Sequence, residues 1–179
     1  MSKKEMFAPS IVLGCICLVA ALLLALTFQV TTPQIEANTA ERANLARFEV
    51  LEAADGFEKL DVALVDGVVE VYKATNDTGY VITTGTKGFG GTITVMTAIG
   101  NDGNIIKIKV TDASNETPGL GSKTTLPDHA AKFVGANKIT NAKDGDGTYI
   151  APVTGASYSS RGVFNGVNAA LEQFAKIGG

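Results

Sequence analysis

TITVMTAIGNDGNIIKIKV (residues 92–110) has the alternation and the central turn signal of a β-hairpin. Ile93, Val95 and Thr97 recur at every second position, the period of a half-buried strand over Thr92–Ile99. Asn101-Asp102-Gly103-Asn104 follows, and because Asn, Asp and Gly tolerate positive φ it predicts a hairpin turn. Ile105–Val110 then returns as the antiparallel partner. Upstream, Val68–Ala74 and Gly79–Thr84 read as two more strands around the turn signal Asn76-Asp77, and Gly88-Phe89-Gly90-Gly91 introduces the hairpin. Downstream, Pro118-Gly119 suits the two central positions of a type II turn, and Asp128–Phe133 reads as a short helix. Ser160–Lys176 carries Val163, Val167, Ala170, Leu171 and Phe174 at helical spacing. The expected class is α+β: one domain over residues 57–179 with a mainly antiparallel sheet and flanking helices.

The part before this domain has a different texture. Met6 to Ile35 holds no charged residue, and Ile11–Val30 is twenty nearly continuous apolar residues. At about 1.5 Å per residue such a helix covers roughly 30 Å, the hydrocarbon thickness of a bilayer. A single transmembrane helix is therefore expected over residues 10–31, with Pro33 at its end or just past it. Lys3 and Lys4 place residues 1–9 in the cytoplasm and the domain on the far side of the cell (inner, cytoplasmic) membrane. A cleaved signal would have a shorter apolar stretch, about 7–15 residues. A lipoprotein reading of Val12-Leu13-Gly14-Cys15 would leave a mature end that stays apolar to Val30. Residues 32–56 form the expected connector. Leu45, Phe48, Leu51 and Ala54 give Glu36–Ala54 an amphipathic helical spacing, with Gly56 as its stop.

Composition narrows the chemistry. A net charge of −3 gives no basic footprint for nucleic acid. Both cysteines, Cys15 and Cys17, lie in the apolar run, where they read as small membrane residues, and the chain has one histidine, His129. That set cannot build a thiolate cluster, and one imidazole is a poor start to a zinc or haem site. His129 reads as a surface or helix residue. Asp144-Gly145-Asp146-Gly147 lacks the further oxygen ligands of a calcium loop, having Ala151 and Gly155 at the eighth and twelfth positions, and reads as a plain turn. No acid/base pair stands out, so a redox role would have to come from a bound organic cofactor.

Two segments carry the candidate site. Thr154-Gly155-Ala156-Ser157-Tyr158-Ser159-Ser160-Arg161 stands at the start of the last helix. Such a hydroxyl-rich stretch is usually a helix cap. The same arrangement suits a phosphate, because first-turn N–H groups attract anions and Arg161 adds a guanidinium fork. Glu116-Thr117-Pro118-Gly119-Leu120-Gly121, followed by Lys123, is the second segment. Its Pro-Gly turn is either structural or a place where backbone N–H groups meet a ligand without side chains in the way.

Taken together, these motifs resemble the FMN-binding family of Rnf G subunits and the C subunit of the sodium-pumping NADH:quinone reductase. Thr154-Gly155-Ala156-Ser157 is similar to the family's (S/T)GA(T/S) flavinylation motif, and Glu116–Gly121 looks like its ETPGLG signature. The order of turns and the single N-terminal membrane helix match too. The resemblance implies that Ser157 carries FMN through a phosphoester installed by a flavin transferase from FAD. Thr154, Gly155, Ala156, Glu116, Thr117, Gly119, Leu120, Lys123 and Arg161 would surround the flavin. Lys123 would counter phosphate charge and Glu116 would fix the loop. The chain departs from the motif at Ala151, where the family usually has aspartate. The implied function is electron relay in a membrane-bound ferredoxin:NAD oxidoreductase that moves sodium or protons, beside other Rnf subunits and membrane lipid. Two rivals are an anchored flavoprotein of another electron-transfer chain and a non-redox anchored binding module.

Overall fold

The computed structural model describes residues 3–177; residues 1, 2, 178 and 179, which fall in the expected N-terminal segment and at the domain's end, lie outside the described residues. The chain divides into two compact units, Met1–Arg42 and Ala43–Gly179. Helix α1 spans Lys3–Val50, and it is the one described helix long and apolar enough to cross a membrane. Its side chains from Val12 to Thr31 are all exposed. A helix that is apolar all round and covered by no protein is suited to hydrocarbon.

The helix does not stop at Pro33, as the sequence pattern predicts, but continues to Val50. Proline's fixed φ is compatible with a helix, and its local cost is one N–H bond and a clash with the preceding turn. The hydroxyls of Thr31 and Thr32 remain inside the helix, donating to the carbonyl oxygens of Thr27 and Phe28. The separate connector helix is thus part of α1. It ends at Val50, before Gly56, in a turn where Leu51 N–H donates to Arg47 O and Ala54 N–H to Leu51 O. Leu51 and Ala54 are buried at that turn.

In the second unit, five strands form an antiparallel meander in chain order: β1 Phe57–Lys59, β2 Val68–Ala74, β3 Gly79–Lys87, β4 Thr92–Gly100 and β5 Ile105–Asp112. The β4–β5 hairpin is as expected. Gly103 takes positive φ (80°), and Gly100 and Asn104 close the turn backbone to backbone. Asp77 supplies the positive φ (58°) of the β2–β3 turn. Strand β1 has too short a pattern to be read locally; its pairing with β2, Phe57 opposite Ala74, defines it.

β4 is not half-buried: from Val95 to Gly100 every residue is buried. Ile93, Val95 and Ile99 face the C-terminal helix α3, Ser157–Ile177, through Val163, Val167 and Ala170. Met96 and Ala98 face the other way, packing with Val81 against Ala46, Val50 and Leu51 at the end of α1. Each fully buried valine contributes about 1.5–3 kcal/mol, so both faces of the sheet stabilise the unit. Arg47 fixes the end of α1 on the sheet, pairing with Glu70 at 2.9 Å and lying 3.7 Å over the ring of Tyr72.

Between β5 and α3 runs a long connection. It holds a 3-10 turn at Gly121–Thr125, a short helix α2 at Pro127–Ala130, a second 3-10 turn at Ala131–Phe133, and two short parallel strands, β6 Ile139–Thr140 and β7 Thr148–Tyr149. The expected helix over Asp128–Phe133 is this α2 and 3-10 pair. Asp144–Gly147 is a turn, and the described residues hold no group of three or more His, Cys, Asp or Glu suited to a metal.

Candidate functional site

The site forms where that connection folds back on the first turn of α3. Thr117-Pro118-Gly119-Leu120 is a turn closed by Leu120 N–H donating to Thr117 O at 3.1 Å. Gly119 has φ +75°, the conformation a type II turn requires at its third residue. The next residues coil tightly, so Gly121 comes to rest against α3. A Cβ there would stand 2.5 Å from Glu116 Oε2 and 2.8 Å from Ser159 Oγ. Only glycine allows that approach.

Glu116 is the centre of this packing and is 4% exposed. Its Oε1 accepts from Gly90 N–H at 3.0 Å, and its Oε2 accepts a short hydrogen bond from the Ser159 hydroxyl. One carboxylate thus ties the Gly88–Gly91 turn, the Glu116–Gly121 loop and the first turn of α3 together. Both of its carboxylate oxygens accept hydrogen bonds from the protein.

Helix α3 starts at Ser157, three residues earlier than the apolar spacing indicates. Ser157 is exposed, and the first-turn N–H groups of a helix lack partners within it. The hydroxyls do not cap the helix in the usual way. Ala156 precedes the helix, and Ser160 Oγ accepts from Val153 N–H at 2.9 Å. Ser159 is committed to Glu116. Thr154 is exposed in the turn ahead of the helix.

Two clefts of about 280 Å³ each meet at Ser157 and share only that residue. One is lined by Thr117, Leu120, Gly155, Ala156, Phe89 and Tyr158, among others. The exposed rings of Phe89 and Tyr158 stand 6.3 Å apart, centroid to centroid, at its edge. The other is lined by His129, Asn141, Pro152, Ser160, Arg161 and Phe164 beside Ser157. Arg161 lies 5.4 Å over the Tyr158 ring, so its guanidinium is held near the helix start. Lys123 lines neither cleft; it is exposed on the 3-10 turn.

His129 departs from its expected place. It is not a surface residue: it is 3% exposed, packed edge-on to Phe133 at 5.6 Å. Burial first, and then the positive charge of Lys132, lowers its pKa from the ordinary 6.5 to about 4. Neither ring nitrogen has a hydrogen-bond partner among the described residues. A lone histidine carries no sequence signal for such a position. Phe89 and Tyr158, by contrast, stand inside segments that the sequence itself singles out.

Residues 88–172 match the family model described as an FMN-binding domain, and residues 1–50 match the RnfG N-terminal region. The chain is 32% identical to the G subunit of the Na(+)-translocating ferredoxin:NAD(+) oxidoreductase complex of Acetobacterium woodii, over 97% of this chain and 94% of that one. It is 28% identical to the proton-translocating counterpart of Clostridium ljungdahlii, over 99% and 96% of the two chains. It is 30% identical to the G subunit of the ion-translocating oxidoreductase complex of Methanosarcina acetivorans, over 95% of each. With both family models in the expected order and identity extending along nearly the whole length, the chain belongs to the family of G subunits of ion-translocating oxidoreductase complexes.

Proposed function

We propose that this chain is the flavin-carrying electron relay of a membrane-bound ferredoxin:NAD oxidoreductase, with one FMN joined to Ser157 through a phosphoester. The observation that carries the reading is the exposed Ser157 at the front of α3, where two clefts meet and where the family's FMN-binding segment lies.

The residues present fit FMN. Ser157 offers a free-standing hydroxyl on a helix N-terminus, which favours a phosphate. The Phe89–Leu120 cleft is mostly apolar, with Gly155, Ala156 and Gly121 keeping its floor low for a flat ring. His129 and Arg161 add donors on the other side. FMN, when bound, supplies electron transfer singly or in pairs, which suits a link between one-electron and two-electron partners. The chain's own residues hold and orient it. Glu116 keeps the Thr117–Leu120 turn against α3. Arg161 balances phosphate charge, a role the family resemblance also gives to Lys123. The lining of the two clefts supports Arg161 in that role.

Attachment by a flavin transferase balances as a phosphoryl transfer. Ser157 Oγ forms a bond to the flavin-side phosphorus of FAD, the pyrophosphate P–O bond breaks, AMP leaves, and the hydroxyl proton passes to solvent. Covalent tethering keeps the flavin at high local concentration. That matters for a domain outside the cytoplasm, the side that Lys3 and Lys4 ahead of the apolar helix favour for residues 57–179. Within this reading residues 1–9 are cytoplasmic, 10–31 span lipid and 32–56 connect, with further subunits of the complex as partners.

The test is intact mass and in-gel flavin fluorescence after denaturation, on protein coexpressed with a flavin transferase. Wild type should gain the mass of one FMN less water and fluoresce. Ser157→Ala should lose both, and Thr154→Ala should weaken loading less. Loss of flavin in the Thr154 variant alone moves the attachment site, and an unmodified, colourless wild type overturns the relay.

A further inference from the structure

The cleft that holds His129 is built differently from its neighbour. It brings together Arg161 from α3, the Asn141 amide, the Ser160 hydroxyl and His129 from α2, and its lining includes no carboxylate. His129 is only 3% exposed, yet neither ring nitrogen has a partner among the described residues. Buried polar groups normally find partners, so an unpaired one beside a cavity points to a ligand group. Convergent N–H donors, a guanidinium and a helix start with no opposing negative charge select an anion.

We propose that His129 is a positioning residue for the phosphate carried by Ser157: the phosphodiester lies in the His129–Arg161 cleft and accepts a hydrogen bond from the imidazole, leaving the Phe89–Leu120 cleft to the flavin ring. This rests on the reading that Ser157 carries FMN. In the flavin-free chain burial and then Lys132 lower the imidazole pKa to about 4, so the ring is uncharged at neutral pH and offers one N–H donor toward the cleft. Arg161 supplies a permanent compensating charge. Two clefts meeting at one residue then have separate tasks: one grips the phosphate and the other receives the ring.

The chain has a single histidine, so every imidazole signal in a labelled sample belongs to His129. The full chain, in detergent and on a histidine-free tag, is prepared with and without coexpressed flavin transferase, and loading is verified by intact mass. Imidazole nitrogen and proton resonances are recorded for both, before and after adding inorganic phosphate. Loading should move both ring nitrogens and slow exchange of the imidazole N–H by about tenfold, the effect of one hydrogen bond. Inorganic phosphate should shift the flavin-free protein and leave the loaded protein unchanged, because the tethered phosphate already occupies the cleft.

Coincident imidazole spectra with and without flavin overturn the proposal. So does an inorganic-phosphate shift that persists in the loaded protein. Absence of added mass overturns the flavin reading itself and is distinguishable from both. In loaded protein the phosphorus resonance should move in His129→Phe and return toward wild type in His129→Gln, which keeps an N–H donor. A phosphorus signal indifferent to both substitutions also refutes the contact. If the Phe variant does not fold, the wild-type comparison still decides.

Discussion

Glu116 and His129 lie in the same connection between β5 and α3, and both are almost wholly buried, at 4% and 3% exposure. Their surroundings are opposite. Glu116 spends both carboxylate oxygens on the protein, one on Gly90 and one on Ser159. His129 spends neither nitrogen among the described residues and borders a cavity. A buried polar group with all its partners is part of the scaffold. A buried polar group without them is a cost that packing alone does not offset. The difference separates what builds this site from what the site offers to a ligand.

The largest effect is expected for Glu116→Ala. Two donors, Gly90 N–H and the Ser159 hydroxyl, would be orphaned, at a cost of about 4 kcal/mol in unfolding free energy. Chemical denaturation of the full chain in detergent should show it, together with poor flavin loading. If the variant is as stable as wild type, Glu116 is not the tie described.

His129 should reveal its burial on acid titration. In the unfolded chain His129 takes a proton near 6.5, whereas in the folded chain burial and Lys132 hold that off until about 4. Between those values the unfolded state binds more protons, so stability falls as pH drops through the window and is unaffected above it. For the flavin-free chain the decline attributable to His129 should reach up to about 3 kcal/mol. His129→Phe, which places an apolar ring in the same packing, should lose that part of the decline and be as stable as wild type at neutral pH. Parallel stability–pH curves for the two proteins would contradict this.

Gly121→Ala should cost about 2 kcal/mol, because its Cβ must push into Glu116 and Ser159. A crystal structure of the variant would show that hydrogen bond displaced. Thr154→Ala should be the mildest change. Its side chain is exposed, so stability should stay within about 0.5 kcal/mol on the same denaturation assay.

The sheet is legible wherever local pattern and turn chemistry agree. The pattern bounds Val68–Ala74 correctly, whereas Gly79–Thr84 falls three residues short of Lys87, where β3 continues as the partner of Thr92 at the start of β4. Pro118-Gly119 is readable because positive φ at that position is a property of the residue. Pro33 misleads because a proline's local cost can be absorbed by the rest of a long helix. The full burial of β4 is invisible in its own residues, since α1 supplies the second cover from more than forty positions away. Of the site, the sequence marks Ser157, Thr117, Leu120 and Arg161, which border the clefts, and also Lys123, which does not.

The apolar helix, the order of strands and turns, and the Glu116–Gly121 and Thr154–Ser157 motifs can all be read along the chain. These depend on residue type and short spacing, which act along the chain. The tertiary structure alone decided that Glu116 is fully partnered while His129 is buried without partners, and that two clefts meet at Ser157. Those properties come from which segments pack together across long separations, and a hydrogen bond or a desolvated imidazole exists only once they do.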